Sequence, residues 1–145
     1  MKQSPYIDDL GTKRWRNERG QLHRENGPAI EHNDGTKEWY LNHKLHREDG
    51  PAIEWANGSK SWWINGKLHR EGGAAVEYSN GTKEWFFNGF RHRLDGPAVE
   101  QSNCHKEWWI DGELCLMKEF TICVIKFLLN CDNEAAETIL KLLKN

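Results

Sequence analysis

A chain of 145 residues with a formal charge of −2 and a hydrophobic content of 37% has the length of one domain and too many apolar side chains for a disordered segment. Near-balanced charge provides no global field for a polyanion, so there is no strong nucleic-acid signal. Eight Trp residues are the one compositional excess.

Residues 1–8 form an N-terminal segment. Met1-Lys2-Gln3-Ser4-Pro5-Tyr6-Ile7 contains no apolar h-region, so no secretory leader is expected. From residue 9 to 116 one pattern recurs. Leu22-His23-Arg24, Leu45-His46-Arg47 and Leu68-His69-Arg70 are followed by Arg91-His92-Arg93, at steps of 23 residues. Trp15, Trp39, Trp62, Trp85 and Trp108 keep the same beat except once, where the first unit carries one extra residue. A fixed period of this size marks an array of small supersecondary units.

Each unit reads as antiparallel β. Asn65-Gly66 and Asn88-Gly89 carry the chemistry of a two-residue type I′ turn, which needs positive φ at both central positions. Asp34-Gly35, Asn57-Gly58 and Asn80-Gly81 repeat the signal, while Asp49-Gly50-Pro51 and Asp95-Gly96-Pro97 break the chain between units. Strands of about five residues joined by such turns form a meander that grows along one axis. If Asp34-Gly35 is a two-residue turn, Glu31 faces Glu38 and Ile30 faces Trp39, with Glu77 opposite Glu84 and Glu100 opposite Glu107. The Asn42-His43 turn then places Trp39 beside His46 and Glu38 beside Arg47, and the fourth unit places Glu84 beside Arg93. The expectation is a face carrying rows of Glu, Glu and Arg, and another carrying rows of Ile or Val, Trp and His. An exposed Arg–Glu pair of this kind contributes about 0.2–1 kcal/mol.

On Trp63-Ile64-Asn65-Gly66-Lys67 and Tyr78-Ser79-Asn80-Gly81, with close copies at residues 39–44 and 86–89, the chain resembles the MORN repeat. The resemblance covers about residues 9–116. Where that family's Gly-x-Gly would follow, this chain has His-Arg-x-Asp-Gly-Pro-Ala, a variant form. The resemblance implies an elongated single-layer antiparallel sheet, and an association with scaffolding and acidic phospholipids. Its variant form implies a kinship with small phage and bacterial proteins, and hence sequestration of a host nucleotide signal in the host cytoplasm.

After Leu116 the periodicity becomes helical, and residues 117–145 read as a C-terminal helical cap. Leu116, Phe120, Cys123, Val124, Phe127 and Leu128 fall at steps of three and four. A second helix opens at Asp132 or Asn133, with Glu134 and Glu137 early and Lys141 and Lys144 late, in keeping with the helix dipole. These helices would cover the edge strand of an open array; the alternative is a homodimer through them. The run from Phe120 to Leu129 is broken by Lys126 and too short to span a bilayer, so no transmembrane segment is expected. Cys104, Cys115, Cys123 and Cys131 show no C-x-x-C spacing and read as reduced thiols of a cytoplasmic protein, without a metal site and with a disulfide left open.

No nucleophile elbow, phosphate-binding loop or His pair at metal spacing is present, and a carboxylate pair that recurs three times reads as scaffold, so neither enzyme nor cofactor is expected. The favoured function is ligand binding by Arg24, Arg47, Arg70 and Arg93 with His23, His46, His69, His92, Trp39, Trp62 and Trp85. Guanidinium forks hold phosphate and indoles stack on bases. A nucleotide or cyclic dinucleotide between neighbouring repeats fits that composition. The competing reading is a protein adaptor using exposed Trp55, Trp63 and Trp109 as anchors, and, less favoured, a binder of anionic lipid.

Overall fold

The computed structural model describes residues 4–116, 120–129 and 133–143. Residues 6–115 form a mainly β array: an antiparallel sheet of 11 strands, in which short strands from successive repeats lie side by side, and three two-stranded hairpins beside it. Two helices follow, α1 (Phe120–Leu129) and α2 (Asn133–Leu143).

The strands are shorter than the expected five residues, most having two. The interruption falls on the periodic Trp, whose backbone joins two ladders. Trp39 donates its N–H to Ala52 O of the main sheet, and its own carbonyl accepts from His46 N of its hairpin; Trp62 and Trp85 do the same with Ala75 and His69, and with Ala98 and His92. Successive hairpins are linked in turn by Arg47 N to Trp63 O and Gly66 N to Leu45 O. Ala29, Ala52, Ala75 and Ala98, at the junction, have no exposed surface, and Ile30, Val76 and Val99 are buried beside them. Only a methyl fits where two ladders meet, which accounts for an Ala at this point of every unit.

The turns at Asn42-His43, Asn65-Gly66 and Asn88-Gly89 form as expected, whereas Asn57-Gly58 and Asn80-Gly81 do not: only their Gly has positive φ, and Trp55 N to Ser59 O and Tyr78 N to Thr82 O close three-residue loops. Asn65 and Gly66 have φ of 52° and 79°, and Asn42 and His43 have 50° and 66°, so Tyr40 pairs with Leu45 and Trp63 with Leu68. The Asp34-Gly35 turn does not have two residues. His32 N bonds Thr36 O and Gly35 N bonds His32 O, which makes a three-residue loop with Gly35 in the left-handed region at φ 93°. Asp34 Oδ1 accepts the Thr36 N–H at 2.8 Å and holds the extra residue in place.

This single residue corrects the expected register. Glu31 faces Lys37 and Ile30 faces Glu38; likewise Glu54 faces Lys60, Glu77 faces Lys83 and Glu100 faces Lys106. The paired Glu rows do not form. One face instead carries an unbroken alternation across the sheet, Lys13, Glu31, Lys37, Glu54, Lys60, Glu77, Lys83, Glu100, Lys106. Every carboxylate lies between two ammonium groups, an arrangement that favours this register over its neighbours.

The first repeat is a longer variant. Its extra residue widens the turn into a loop from Asn17 to Gln21, closed by Asn17 N to Gln21 O and by Asn17 Oδ1 accepting from Arg19 N and Gln21 N. At the other end α1 packs on Lys106–Ile110 and on α2. The Phe127 ring lies 4.8 Å from that of His92, the contact expected of a cap on the last repeat. No helix among the described residues is long and apolar enough to cross a membrane. Cys131 and the Asp132 N-cap lie outside the described residues.

Candidate functional site

The repeated His-Arg corner has the same construction in all four units that carry it. Each guanidinium lies over the Trp of its own unit, at 3.9 Å for Arg24 on Trp15, 4.1 Å for Arg47 on Trp39, 3.7 Å for Arg70 on Trp62 and 4.1 Å for Arg93 on Trp85. The same groups donate four residues ahead to a backbone carbonyl: Pro28 at 3.0 Å, Pro51 at 3.2 Å, Ala74 at 2.9 Å and Pro97 at 3.1 Å. Seven residues ahead they meet a carboxylate: Glu31 at 3.2 Å, Glu54 at 3.0 Å, Glu77 at 2.6 Å and Glu100 at 3.0 Å. In the second and fourth units Nε also donates to Asp49 at 2.9 Å and Asp95 at 2.8 Å, which holds both carboxyls below their usual range.

The partner differs from the one expected. Arg47 and Arg93 reach forward to Glu54 and Glu100, while Glu38 and Glu84 lie on the opposite face, where Glu84 is held by Arg91 at 3.1 Å. The loop at residues 48–50 carries the chain back under the guanidinium, and glycine is what permits this. A Cβ on Gly50 would lie 2.9 Å from Arg47 Cζ, and one on Gly73 or Gly96 would lie 3.0 Å from Arg70 or Arg93 Cζ. The motif His-Arg-x-x-Gly-Pro-Ala, with Ala74 in place of Pro in the third unit, is therefore a staple made of a cation, an indole, a carbonyl and a carboxylate.

The histidines bind repeat to repeat. Nδ1 of His23, His46, His69 and His92 accepts the N–H of Asn42, Asn65, Asn88 and Asp111, at 3.1–3.2 Å and always 19 residues ahead. An imidazole accepting at Nδ1 carries its proton on Nε2, and in the first two units Nε2 faces Glu25 at 3.9 Å and Glu48 at 3.6 Å. Burial pushes the His92 pKa down, against the weaker opposing effect of Asp111.

A groove between the second and third repeats brings Arg47, Trp62, His69 and Arg70 together, with Glu48, Asp49 and Glu71 on the same walls. An equivalent groove in the first unit contains Trp15, His23, Arg24 and Glu25. Trp39 and Trp85 do not line the first of these. The rim is acidic and open, with Glu48 and Asp49 side chains 85% and 84% exposed.

The opposite face carries a second periodic set, read from the sequence only at Trp55, Trp63 and Trp109. Tyr40 donates its hydroxyl to Glu38 at 2.9 Å, Trp63 its Nε1–H to Ser61 at 2.7 Å and Trp109 its Nε1–H to Glu107 at 2.8 Å. Burial and Glu38 push the Tyr40 hydroxyl up to about 12. Trp63 and Trp109 are half-buried with Tyr40 and Phe86, and Trp55 and Tyr78 are exposed. The signal for this row was the residue after each periodic Trp, aromatic in every unit from the second onward. Among the described residues no cluster of His, Cys, Asp and Glu has the arrangement of a metal site. Comparison with protein-family models, curated proteins and solved structures found no match to the chain.

Proposed function

We propose that the chain is a non-enzymatic binding module whose partner is a protein docked along the aromatic face. The observation that supports this reading is the commitment of the repeated Arg side chains. Each is stacked on an indole and bonded to a carbonyl and a carboxylate of its own unit. An external phosphate would have to compete with contacts already made, past an acidic rim. The rings of Trp55, Tyr78, Trp63 and Trp109 make no such demand: they offer amphipathic surface at a regular step, of the kind that anchors interfaces. Affinity capture with the whole chain as bait tests this. A stoichiometric protein partner that is lost with Trp55→Ser and Tyr78→Ser, and kept in millimolar nucleotide, is the expected result. A partner retained by the Ser variants, or displaced by nucleotide, contradicts it.

A second reading is favoured by the groove that joins Arg47, His69 and Arg70. There a phosphate-bearing small ligand such as a nucleotide or cyclic dinucleotide would exchange places with Glu54 and Glu77 on the guanidiniums. Titration calorimetry against a panel of such ligands supports this reading if heat is released and is abolished by Arg70→Ala, and removes it if no ligand binds at millimolar concentration.

A further inference from the structure

The fifth unit departs from the others at its corner. Leu114-Cys115-Leu116 stands where the others have His and Arg after their first residue, and Cys115 sits opposite Trp108 as the histidines sit beside their own Trp. A histidine there would reach forward to the turn of a sixth repeat. The chain instead continues into α1, whose Cys123 lines one cavity with Cys115, Ile110, Lys126 and Phe127. Cys115 is 6% exposed and Cys123 half-buried. Cys115 Sγ donates to Glu113 O at 3.8 Å, and burial, with Cys123 adding to it, raises the Cys115 pKa. Cys104, by contrast, is exposed.

We infer that Cys115 and Cys123 are a redox-responsive pair that forms an intramolecular disulfide, fastening α1 to the last hairpin in the place where the other repeats use a histidine. The oxidant is a low-molecular-weight disulfide. The thiolate of Cys123, the more accessible sulfur, attacks one sulfur of that molecule and expels one thiol, leaving a mixed disulfide. Cys115 then gives up its proton and attacks the Cys123 sulfur, expelling the second thiol. The protein loses two electrons and two protons, and the small disulfide is reduced to two thiols. The bond would close a short loop and hold Phe127 on His92, so that oxidation secures the covered end of the sheet and reduction leaves it held by packing alone.

The test uses the full-length protein carrying Cys104→Ser and Cys131→Ser, equilibrated with oxidised and reduced glutathione across a range of ratios, alkylated, digested with trypsin and mapped. Trypsin separates Cys115 in residues 107–118 from Cys123 in residues 119–126. The expected result is a linked pair of these peptides, reversed by reductant, lost in Cys123→Ala, and accompanied by slower amide exchange in α1. Oxidised samples that keep their circular dichroism while both peptides are recovered alkylated, or as separate glutathione adducts, overturn the inference. The wild-type chain is a second check: a dominant link from Cys115 to Cys104 or Cys131 also overturns it.

Discussion

Substituting Gly50 by Ala tests the staple without touching any of its polar atoms. Gly50 is not in the left-handed region, so its backbone accepts a side chain. The obstacle is Arg47, with Cζ at 2.9 Å and Nε at 3.0 Å from the new methyl. Complete loss of the Arg47 contacts removes a cation–π interaction of about 0.5–1 kcal/mol, a carbonyl hydrogen bond of about 1 kcal/mol and the part-exposed ion pair with Glu54 of a few tenths, together about 2 kcal/mol. Gly50→Ala displaces the guanidinium rather than deleting it, so it is expected to cost about 1 kcal/mol. In an Arg47→Ala background the obstacle is gone, and the same methyl should be neutral or stabilising by about 0.4–1 kcal/mol through the unfolded chain. The double-mutant cycle, measured by urea unfolding followed through tryptophan fluorescence and circular dichroism, is thus expected to show a coupling of about 1–2 kcal/mol. An equal cost in both backgrounds refutes the reasoning, since it would place the glycine requirement in the backbone and not under the guanidinium.

Three further outcomes follow from the geometry. His43 occupies the second position of a type I′ turn at φ 66°, where the three later units have Gly66, Gly89 and Gly112, so His43→Gly should raise the thermal midpoint, by about 1 kcal/mol of relieved strain. Ser61 is 1% exposed and accepts from Trp63 Nε1; Ser61→Ala should cost about 1 kcal/mol and change the Trp63 emission. His92 accepts the Asp111 N–H through Nδ1, and burial lowers its pKa below 6.5. The unfolded chain then binds the proton more readily than the folded one, so stability is full above about pH 6.5 and falls as the pH drops through the lowered folded value. Urea midpoints between pH 7.5 and 5 should show that fall, and His92→Gln should make it shallower; an unchanged slope contradicts the role given to this nitrogen.

The architecture was legible because its turns are local. Asn65-Gly66 and Asn88-Gly89 take positive φ at both positions, as the type I′ turn requires, and the helical step of Phe120, Cys123, Val124 and Phe127 survives any register of the sheet. The site was less legible because one residue decides it. Asp34-Gly35 has the dipeptide of a two-residue turn, yet the Asp34 carboxylate captures the Thr36 N–H and admits a third residue. That shift moved Glu31 from Glu38 to Lys37 and left Arg47 with Glu54 as its partner. The histidines were read as neighbours of Trp, which they are, but their role depends on Nδ1 reaching 19 residues ahead into the next unit, and no pattern within one repeat reports that. The Arg-to-Glu step of seven and the glycine three residues after each Arg were visible periodicities; their meaning came from the loop that folds one under the other.

The most direct test is nitrogen-15 NMR of the arginine side chains, followed while inorganic pyrophosphate is added. If the guanidiniums of Arg24, Arg47, Arg70 and Arg93 are internal staples, the Nη–H signals of all four, and the Nε–H signals of Arg47 and Arg93, are slow to exchange with water and do not move at millimolar pyrophosphate. Fast-exchanging signals that shift together and saturate would contradict this and return these four side chains to the role of a phosphate site.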